Sequence, residues 1–135
     1  MIRSLINAGI MIPSKKISQT VLEFGKSIIA GLPASHTKEE FEATMKLVVT
    51  AWNAVVMDSW ENGSKFELEL LALMETAPKI VKLEIKRLIK RKKTKFYNDP
   101  RAVDDFWVRE NNGEIVFGCE ARLNVDNAPA SNTKH

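Results

Sequence analysis

The sequence predicts an α+β domain that is predominantly α-helical, with about four helices followed by one C-terminal antiparallel β-hairpin. Two observations lead to this prediction. Apolar residues recur at the three- and four-residue spacing of amphipathic helices from residue 17 to residue 89. From residue 106 the spacing changes to alternation on both sides of Asn112-Gly113, which is typical of a β-hairpin with a two-residue turn.

The first two helices are marked by their terminal residues. Ser14 is a candidate N-cap for helix one, whose apolar spacing continues to Leu32 before Pro33 ends it. Thr37 and Glu40 form the sequence pattern of a capping box, in which each residue satisfies the other's backbone N–H. The second helix should therefore start here, carry the widest apolar stripe, and end at Asn62-Gly63.

The next two helices follow the same logic. Ser64 and Glu67 resemble a second capping box, and the segment after them is apolar on all sides, which predicts a short buried helix. Pro78 suits the first turn of a fourth helix because proline lacks an N–H that would need a partner there. This helix is expected to run from about Pro78 to Phe96 and to be broken by Asn98-Asp99-Pro100.

The hairpin register follows from its turn. If Asn112-Gly113 forms a type I′ turn, Asn111 faces Glu114, and an apolar face and a polar face result. The predicted pairs are Val108 with Phe117, Phe106 with Cys119, and Trp107 with Gly118. The Trp107 indole would then cover the backbone of Gly118. An isolated hairpin is marginally stable in water, so its apolar face is expected to pack on the helices or on a second subunit.

The composition fits one hydrophobic core. A chain of 135 residues with 44% hydrophobic and 27% charged side chains is predicted to form a single globular domain over residues 14–123. Residues 1–13 are expected to be poorly ordered, and residues 124–135, which are small and polar, to form a disordered tail. The N-terminal apolar stretch has no small-residue cleavage site, which argues against a signal peptide.

Location and membrane association follow from two further observations. Cys119 is the single cysteine, so the chain cannot form an internal disulfide, and a cytoplasmic location is predicted. No stretch approaches the roughly 20 apolar residues of a membrane span, so no integral membrane association is expected.

The basic fourth helix is the most pronounced chemical feature. The segment from Lys79 to Phe96 contains nine Lys and Arg residues and one acid, Glu84, a net charge of +8. Because the whole chain carries +3, the remainder must carry −5. Lys82, Lys86, Lys90 and Lys93 fall on one strip, which we call the lysine strip. The predicted phosphate-contacting residues are Lys82, Lys86, Arg87, Lys90, Arg91, Lys92, Lys93 and Lys95.

This pattern favours a non-enzymatic accessory module that binds nucleic acid non-specifically through the basic helix (79–96). Three alternatives stay open. The cations could be neutralised by acids of the chain itself or of an acidic protein partner, or could bind an anionic membrane surface. The hairpin and the Trp-containing second helix could instead serve protein–protein interaction or homo-oligomerisation. Phe96 and Tyr97 could stack on bases, although a hydrophobic anchor at the helix end is favoured.

The sequence does not favour catalysis, a metal site or a cofactor. His36 and His135 are the only histidines, and neither lies where a general base is expected. Cys119 lies on the apolar side of the hairpin, which predicts an inert thiol. Asp99, Asp104 and Asp105 lack the spacing of a calcium loop and are explained as turn residues. The six glycines are scattered, so no phosphate-binding loop is present.

The second helix also carries Trp52, Asn53 and Trp60. The two tryptophans lie eight residues apart on one face and are interpreted as core residues. Asn53, at the flank of this face, is expected to cap a neighbouring helix end or to lie at a subunit contact.

Three sequence features together resemble small uncharacterised bacterial α-rich proteins. They are the segment Ala51–Val56 in the central helix, the ending Phe96-Tyr97-Asn98-Asp99 of the basic helix, and the closing hairpin with Trp107. The resemblance spans about residues 15–123. It implies a bacterial cytosolic protein and no particular activity, ligand or site.

Overall fold

Five helices and a two-stranded antiparallel sheet make up residues 16–124, which are the residues that the computed structural model describes. The predicted α+β class with a terminal hairpin is confirmed. The elements are α1 (Ile17–Phe24), α2 (Lys26–Ala30), α3 (Lys38–Glu61), α4 (Lys65–Leu73), α5 (Lys79–Thr94), β1 (Ala102–Asn111) and β2 (Glu114–Arg122). Ser14, the N-terminal segment 1–13 predicted to be poorly ordered, and the predicted tail 124–135 except for Asn124 lie outside the described residues.

The predicted first helix is two helices, α1 and α2, with a bend at Gly25. The Gly25 N–H still donates to the Val21 carbonyl at 2.9 Å, but its φ and ψ of −91° and 9° depart from helical values. A Cβ atom placed on Gly25 would lie 2.8 Å from the Val48 side chain. Glycine therefore allows this bend to approach α3 closely, a long-range reason that local spacing does not reveal.

The long helix α3 is the centre of the fold, since α1, α2, α4, α5 and β1 all pack against it. Its capping box is confirmed: Thr37 Oγ1 accepts from the Glu40 N–H at 3.1 Å, and Glu40 Oε1 accepts from the Thr37 N–H at 2.8 Å. The helix ends at Asn62, whose left-handed φ of 55° turns the chain, as the Asn-Gly signal predicts.

An aromatic cluster occupies the middle of the core. The Trp52 ring lies 5.1 Å from the Phe24 ring and 5.8 Å from the Phe96 ring in edge-to-face arrangements, and the two phenylalanines are 5.7 Å apart. Such pairs add about 0.5–1.5 kcal/mol each to the burial of their surface. Trp52 is fully buried, which confirms it as a core residue, and Phe96 anchors the end of the basic helix.

Helix α4 departs from both predictions made for it. It is not a buried segment, because only Leu70 is buried, while Leu68 is 61% exposed and Leu73 is 73% exposed. Its apolar residues surround the helix, and α3 covers one side only. Composition indicates how apolar a helix is, but the number of neighbours decides how much of it is covered.

The N-terminus of α4 is capped from a different helix than predicted. The Ser64 side chain makes no capping hydrogen bond. Instead the buried Asp58 carboxylate, near the end of α3, accepts from the Phe66 N–H at 2.7 Å and from the Glu67 N–H at 2.9 Å. A carboxylate satisfies two unpaired N–H groups at once and complements the helix dipole, so Asp58 replaces Ser64 as the cap.

The predicted hairpin register is confirmed at every predicted pair. Asn111 faces Glu114, Val108 faces Phe117, Phe106 faces Cys119 and Trp107 faces Gly118. Asn112 and Gly113 both have positive φ, 54° and 81°, as a type I′ turn requires. A Cβ atom on Gly118 would lie 2.4 Å from Trp107 Nε1, so the indole covers this glycine as predicted.

The start of β1 is fixed by two side chains of α3. The Asn53 amide donates to the Val103 carbonyl at 2.9 Å and accepts from the Val103 N–H at 2.7 Å, as a neighbouring strand would. Trp52 Nε1 donates to the Arg101 carbonyl at 2.6 Å. These bonds attach the hairpin to the helices. The prediction that Asn53 caps a helix end is wrong, because its amide pairs with this strand. The alternative, a subunit contact, stays a prediction.

Candidate nucleic-acid interface

Helix α5 has one apolar side and one strongly basic side. Ile85, Leu88 and Ile89 are buried against the rest of the domain. The lysine strip lies beside this apolar side, roughly 100° around the helix and next to α4. Lys86, Lys90 and Lys93 are exposed, and Lys82 is partly exposed. At 1.5 Å per residue, the strip spans about 16 Å of helix.

The cations of the exposed side differ in how far they are neutralised. Lys93 Nζ lies 2.6 Å from Glu67 Oε1, and the Arg87 guanidinium lies 3.3 Å from Glu84 Oε2. Lys86, Lys90 and Lys95 have no ion pair within residues 16–124, and Lys82 donates to the Glu75 carbonyl, which carries no full charge. Four of the predicted phosphate-contacting lysines, Lys82, Lys86, Lys90 and Lys95, therefore carry uncompensated positive charge.

Lys92 does not belong to the exposed set, and its predicted contact with phosphate is wrong. The residue is 2% exposed, and its ammonium donates to the Phe96 carbonyl at 2.6 Å and to the Asp99 carbonyl at 3.0 Å. The same ammonium lies 4.4 Å from the centre of the Trp52 ring, which stabilises it by a cation–π interaction. Lys92 therefore holds the turn after α5.

Burial changes the acid–base chemistry of Lys92. Removal from water lowers the pKa of its ammonium from 10.5 to about 8. The negative charge of Asp99 raises this pKa, and the positive charge of Arg101 lowers it further. Lys92 thus titrates near physiological pH even though its two carbonyl partners and Trp52 favour the charged form.

Arg91 is likewise committed to the fold, which corrects its predicted role at phosphates. Its Nε donates to the Phe24 carbonyl at 3.0 Å and its Nη2 to the Glu23 carbonyl at 3.1 Å. These carbonyls end α1, where cationic donors are favoured by the helix dipole. The guanidinium also lies 5.2 Å from the Phe96 ring centre.

Asp99 and Arg101 form a buried ion pair. The Asp99 carboxylate accepts from Arg101 Nε at 2.9 Å and from Nη2 at 2.8 Å, and Nη2 also donates to Thr20 Oγ1 at 3.3 Å. The sequence interpretation of Asp99 as a turn residue misses this pair. Asp104 and Asp105 are exposed, and within residues 16–124 no three His, Cys, Asp or Glu side chains converge as metal ligands would.

A cavity of about 430 Å³ opens beside the end of the lysine strip. It lies between the end of α3, the start of α4 and the segment 97–100. A groove of about 350 Å³ runs between α4 and α5, and Lys86, Lys90 and Lys93 line it. Glu67 and Lys93 line both spaces, so groove and cavity adjoin at this ion pair.

His36 and Cys119 are the other described side chains considered for catalysis. The His36 ring nitrogen Nδ1 lies 2.9 Å from the Pro33 carbonyl, and the ring stacks on Phe41. Burial raises the pKa of the Cys119 thiol to about 11, while the positive charge of Arg101 lowers it. The thiolate is therefore scarce at neutral pH. His135 lies outside the described residues.

Comparison with known proteins adds no assignment. No family model, curated protein or solved structure matches the chain. Among residues 16–124, no helix is long and apolar enough to cross a membrane.

Proposed function

We propose that this protein is a non-enzymatic accessory module that binds nucleic acid without sequence specificity through the lysine strip of α5. The observation that supports it is the row of lysines along one side of the helix, in which Lys86 and Lys90 are exposed and have no ion pair within residues 16–124. Counterion release from phosphates would drive binding. A cytoplasmic location, suggested by the single cysteine, is part of the same proposal.

The dimensions of the strip support contact with a phosphate backbone. Its length of about 16 Å corresponds to about five phosphates of one strand in a B-form duplex. Lysine offers a flexible point charge and no fixed pattern of donors, so it contacts phosphates without reading bases. The net charge of −5 elsewhere in the chain repels nucleic acid and restricts binding to this side.

The expected contact set is narrower than the sequence indicates. Lys82, Lys86 and Lys90 carry it, while Lys93 and Arg87 contribute less because Glu67 and Glu84 partly neutralise them. Lys95 follows the last residue of α5 and lies about 140° around the helix from Lys90, so it is not part of this set. Arg91 and Lys92 contribute through the fold and not through phosphates.

Fluorescence anisotropy of a labelled oligonucleotide tests the proposal. We expect binding at low salt, and a loss of affinity in the double variant Lys86→Gln/Lys90→Gln. The matched control is Lys46→Gln/Arg109→Gln, which removes two exposed charges from α3 and β1 and should retain affinity. No binding at low salt, or equal loss in both double variants, would contradict the proposal.

The second candidate is self-association, and the exposed Leu68 and Leu73 on α4 favour it. Trp52 is not available for such a contact because it is buried. The hairpin edges resist pairing, since β1 has an irregularity between Val103 and Asp105 and both strands carry charged side chains. Light scattering at several protein concentrations tests this candidate, and a strict monomer would exclude it.

A further inference from the structure

The basic groove leads directly to the cavity at the end of α5. Lys86, Lys90 and Lys93 line the groove, and Lys93 also lines the cavity together with Glu67. A phosphate backbone that follows these lysines toward the C-terminus of α5 would therefore reach the mouth of the cavity. What enters the cavity would be a group attached to that backbone.

The charged groups inside the cavity already have partners. Asp58 accepts from two backbone N–H groups, the Asp99 carboxylate accepts from Arg101, and the Lys92 ammonium donates to two carbonyls. Glu67 and Lys93, which also line the cavity, form an ion pair with each other. The rest of the lining is neutral, both apolar and polar. It includes Val55, Val56, Ser59, Trp60, Asn98 and Pro100. Such a surface disfavours a phosphate and suits a flat, neutral ring with polar edges.

Two aromatic side chains stand at this cavity. Tyr97 lines it and is 74% exposed, and its ring has no contact with another aromatic ring in the described part of the chain. Trp60 lines it from α3 and is half-buried, with the Arg122 guanidinium 5.3 Å from its ring centre. Phe96 and Tyr97 are adjacent in sequence but have different roles. Phe96 is a hydrophobic anchor at the end of the helix, whereas the Tyr97 ring is available to stack on a base.

We infer that the cavity receives a base of single-stranded nucleic acid, which stacks on Tyr97 while the backbone lies along the lysine strip. This inference rests on the proposed function and specifies its substrate. The cavity volume of about 430 Å³ lies in the usual range of small-ligand sites, roughly 300–1,000 Å³. In a duplex the bases are paired and stacked, and extruding one costs a few kcal/mol, so single strands are preferred.

Three probes of equal length test the inference by anisotropy at low salt. They are an oligothymidylate of about twelve nucleotides, the same backbone with abasic sites, and a duplex. We expect the wild type to bind oligothymidylate most tightly. Tyr97→Ala should weaken that binding by about 5- to 100-fold, and Tyr97→Phe, which keeps the ring, should not. Tyr97→Ala should leave duplex binding unchanged.

The outcomes separate the inference from the proposed function. Equal wild-type affinity for the three probes, with no effect of Tyr97→Ala, would overturn the inference and leave the proposed function standing. Absence of binding to every probe would overturn both. Because Tyr97 is exposed, Tyr97→Ala should keep the thermal unfolding midpoint of the wild type, which the same preparations can verify.

Discussion

Lys90 and Lys92 lie two residues apart on α5 and have opposite roles. Lys90 is exposed, has no ion pair in the described residues and lines the basic groove. Lys92 is buried between Trp52 and the turn 96–99, and its ammonium donates hydrogen bonds to two backbone carbonyls. The difference shows that charge density along a sequence overstates the charge available to a ligand. The exposed side of α5 would bind nucleic acid, and the buried side stabilises the fold.

The largest effect should come from breaking the ion pair on the buried side. Asp99→Ala leaves the Arg101 guanidinium without its carboxylate, and we expect a loss of about 3–5 kcal/mol in the free energy of unfolding. Asp104→Ala is the control, because Asp104 is exposed and its Oδ1 lies 3.8 Å from Arg122 Nε. This substitution should lower the free energy of unfolding by less than about 1 kcal/mol. Urea denaturation measures both. Equal, small losses would contradict a structural role for the pair.

The two lysines can be compared by the same substitution. Lys92→Met leaves the Phe96 and Asp99 carbonyls without their donor and should destabilise the domain by about 1–3 kcal/mol. Lys90→Met should change stability by less than about 0.5 kcal/mol but weaken oligonucleotide binding. Denaturation and anisotropy on both variants separate the two roles. Equal stability of the two variants would show that Lys92 is not structural.

The pH dependence of stability sharpens the contrast. The pKa of Lys92 is about 8 in the folded protein and rises to its ordinary value of 10.5 on unfolding. Between these values the unfolded chain binds more protons, so this group makes the free energy of unfolding increase with pH, by up to about 1.4 kcal/mol per unit. Below pH 8 Lys92 is protonated in both the folded and the unfolded state, so it no longer contributes to the change in the free energy of unfolding with pH.

Comparison with Lys92→Met isolates this contribution, because the other titrating groups are shared. The wild-type curve should rise relative to the variant curve between pH 8 and 10.5. Parallel curves over this range would mean that burial does not lower the pKa of Lys92.

Local signals in the sequence predict the elements well. The capping box of Thr37 and Glu40 and the Asn112-Gly113 turn involve residues close in sequence, and both are found as predicted. The burial of Lys92 also has a local signal, since it follows Leu88 and Ile89 by four and three residues and so continues the apolar stripe. The prediction nevertheless assigns Lys92 to the phosphate-contacting residues because it is a lysine, without regard to its position on the helix.

The polar contacts between elements could not be predicted in the same way. Asn53 pairs with Val103, 50 residues away, and Arg91 with Phe24, 67 residues away. Their partners are backbone carbonyl and N–H groups, which every residue has, so the sequence does not single them out. The cavity beside Tyr97 likewise depends on how α3, α4 and segment 97–100 meet.

The smallest expected effect is on nucleic-acid affinity and comes from removing Glu67, the acid that pairs with Lys93 of the lysine strip. Glu67→Gln removes the ion pair with Lys93, and we expect affinity for an oligonucleotide to increase by up to about 5-fold. Glu69→Gln, which removes an exposed acid of the same helix, should have less effect. Anisotropy titrations compare them. An equal gain in both variants would indicate a general charge effect.

The salt dependence of binding tests the central claim most directly. The three strip lysines without an ion pair in the described residues, Lys82, Lys86 and Lys90, predict a slope of about −2 for log Kobs against log salt with a single-stranded oligonucleotide. In Lys86→Gln/Lys90→Gln the slope should fall to about a third, and in Lys46→Gln/Arg109→Gln it should not change. A slope near zero in the wild type, or one that Lys86→Gln/Lys90→Gln leaves unchanged, would contradict binding through the lysine strip.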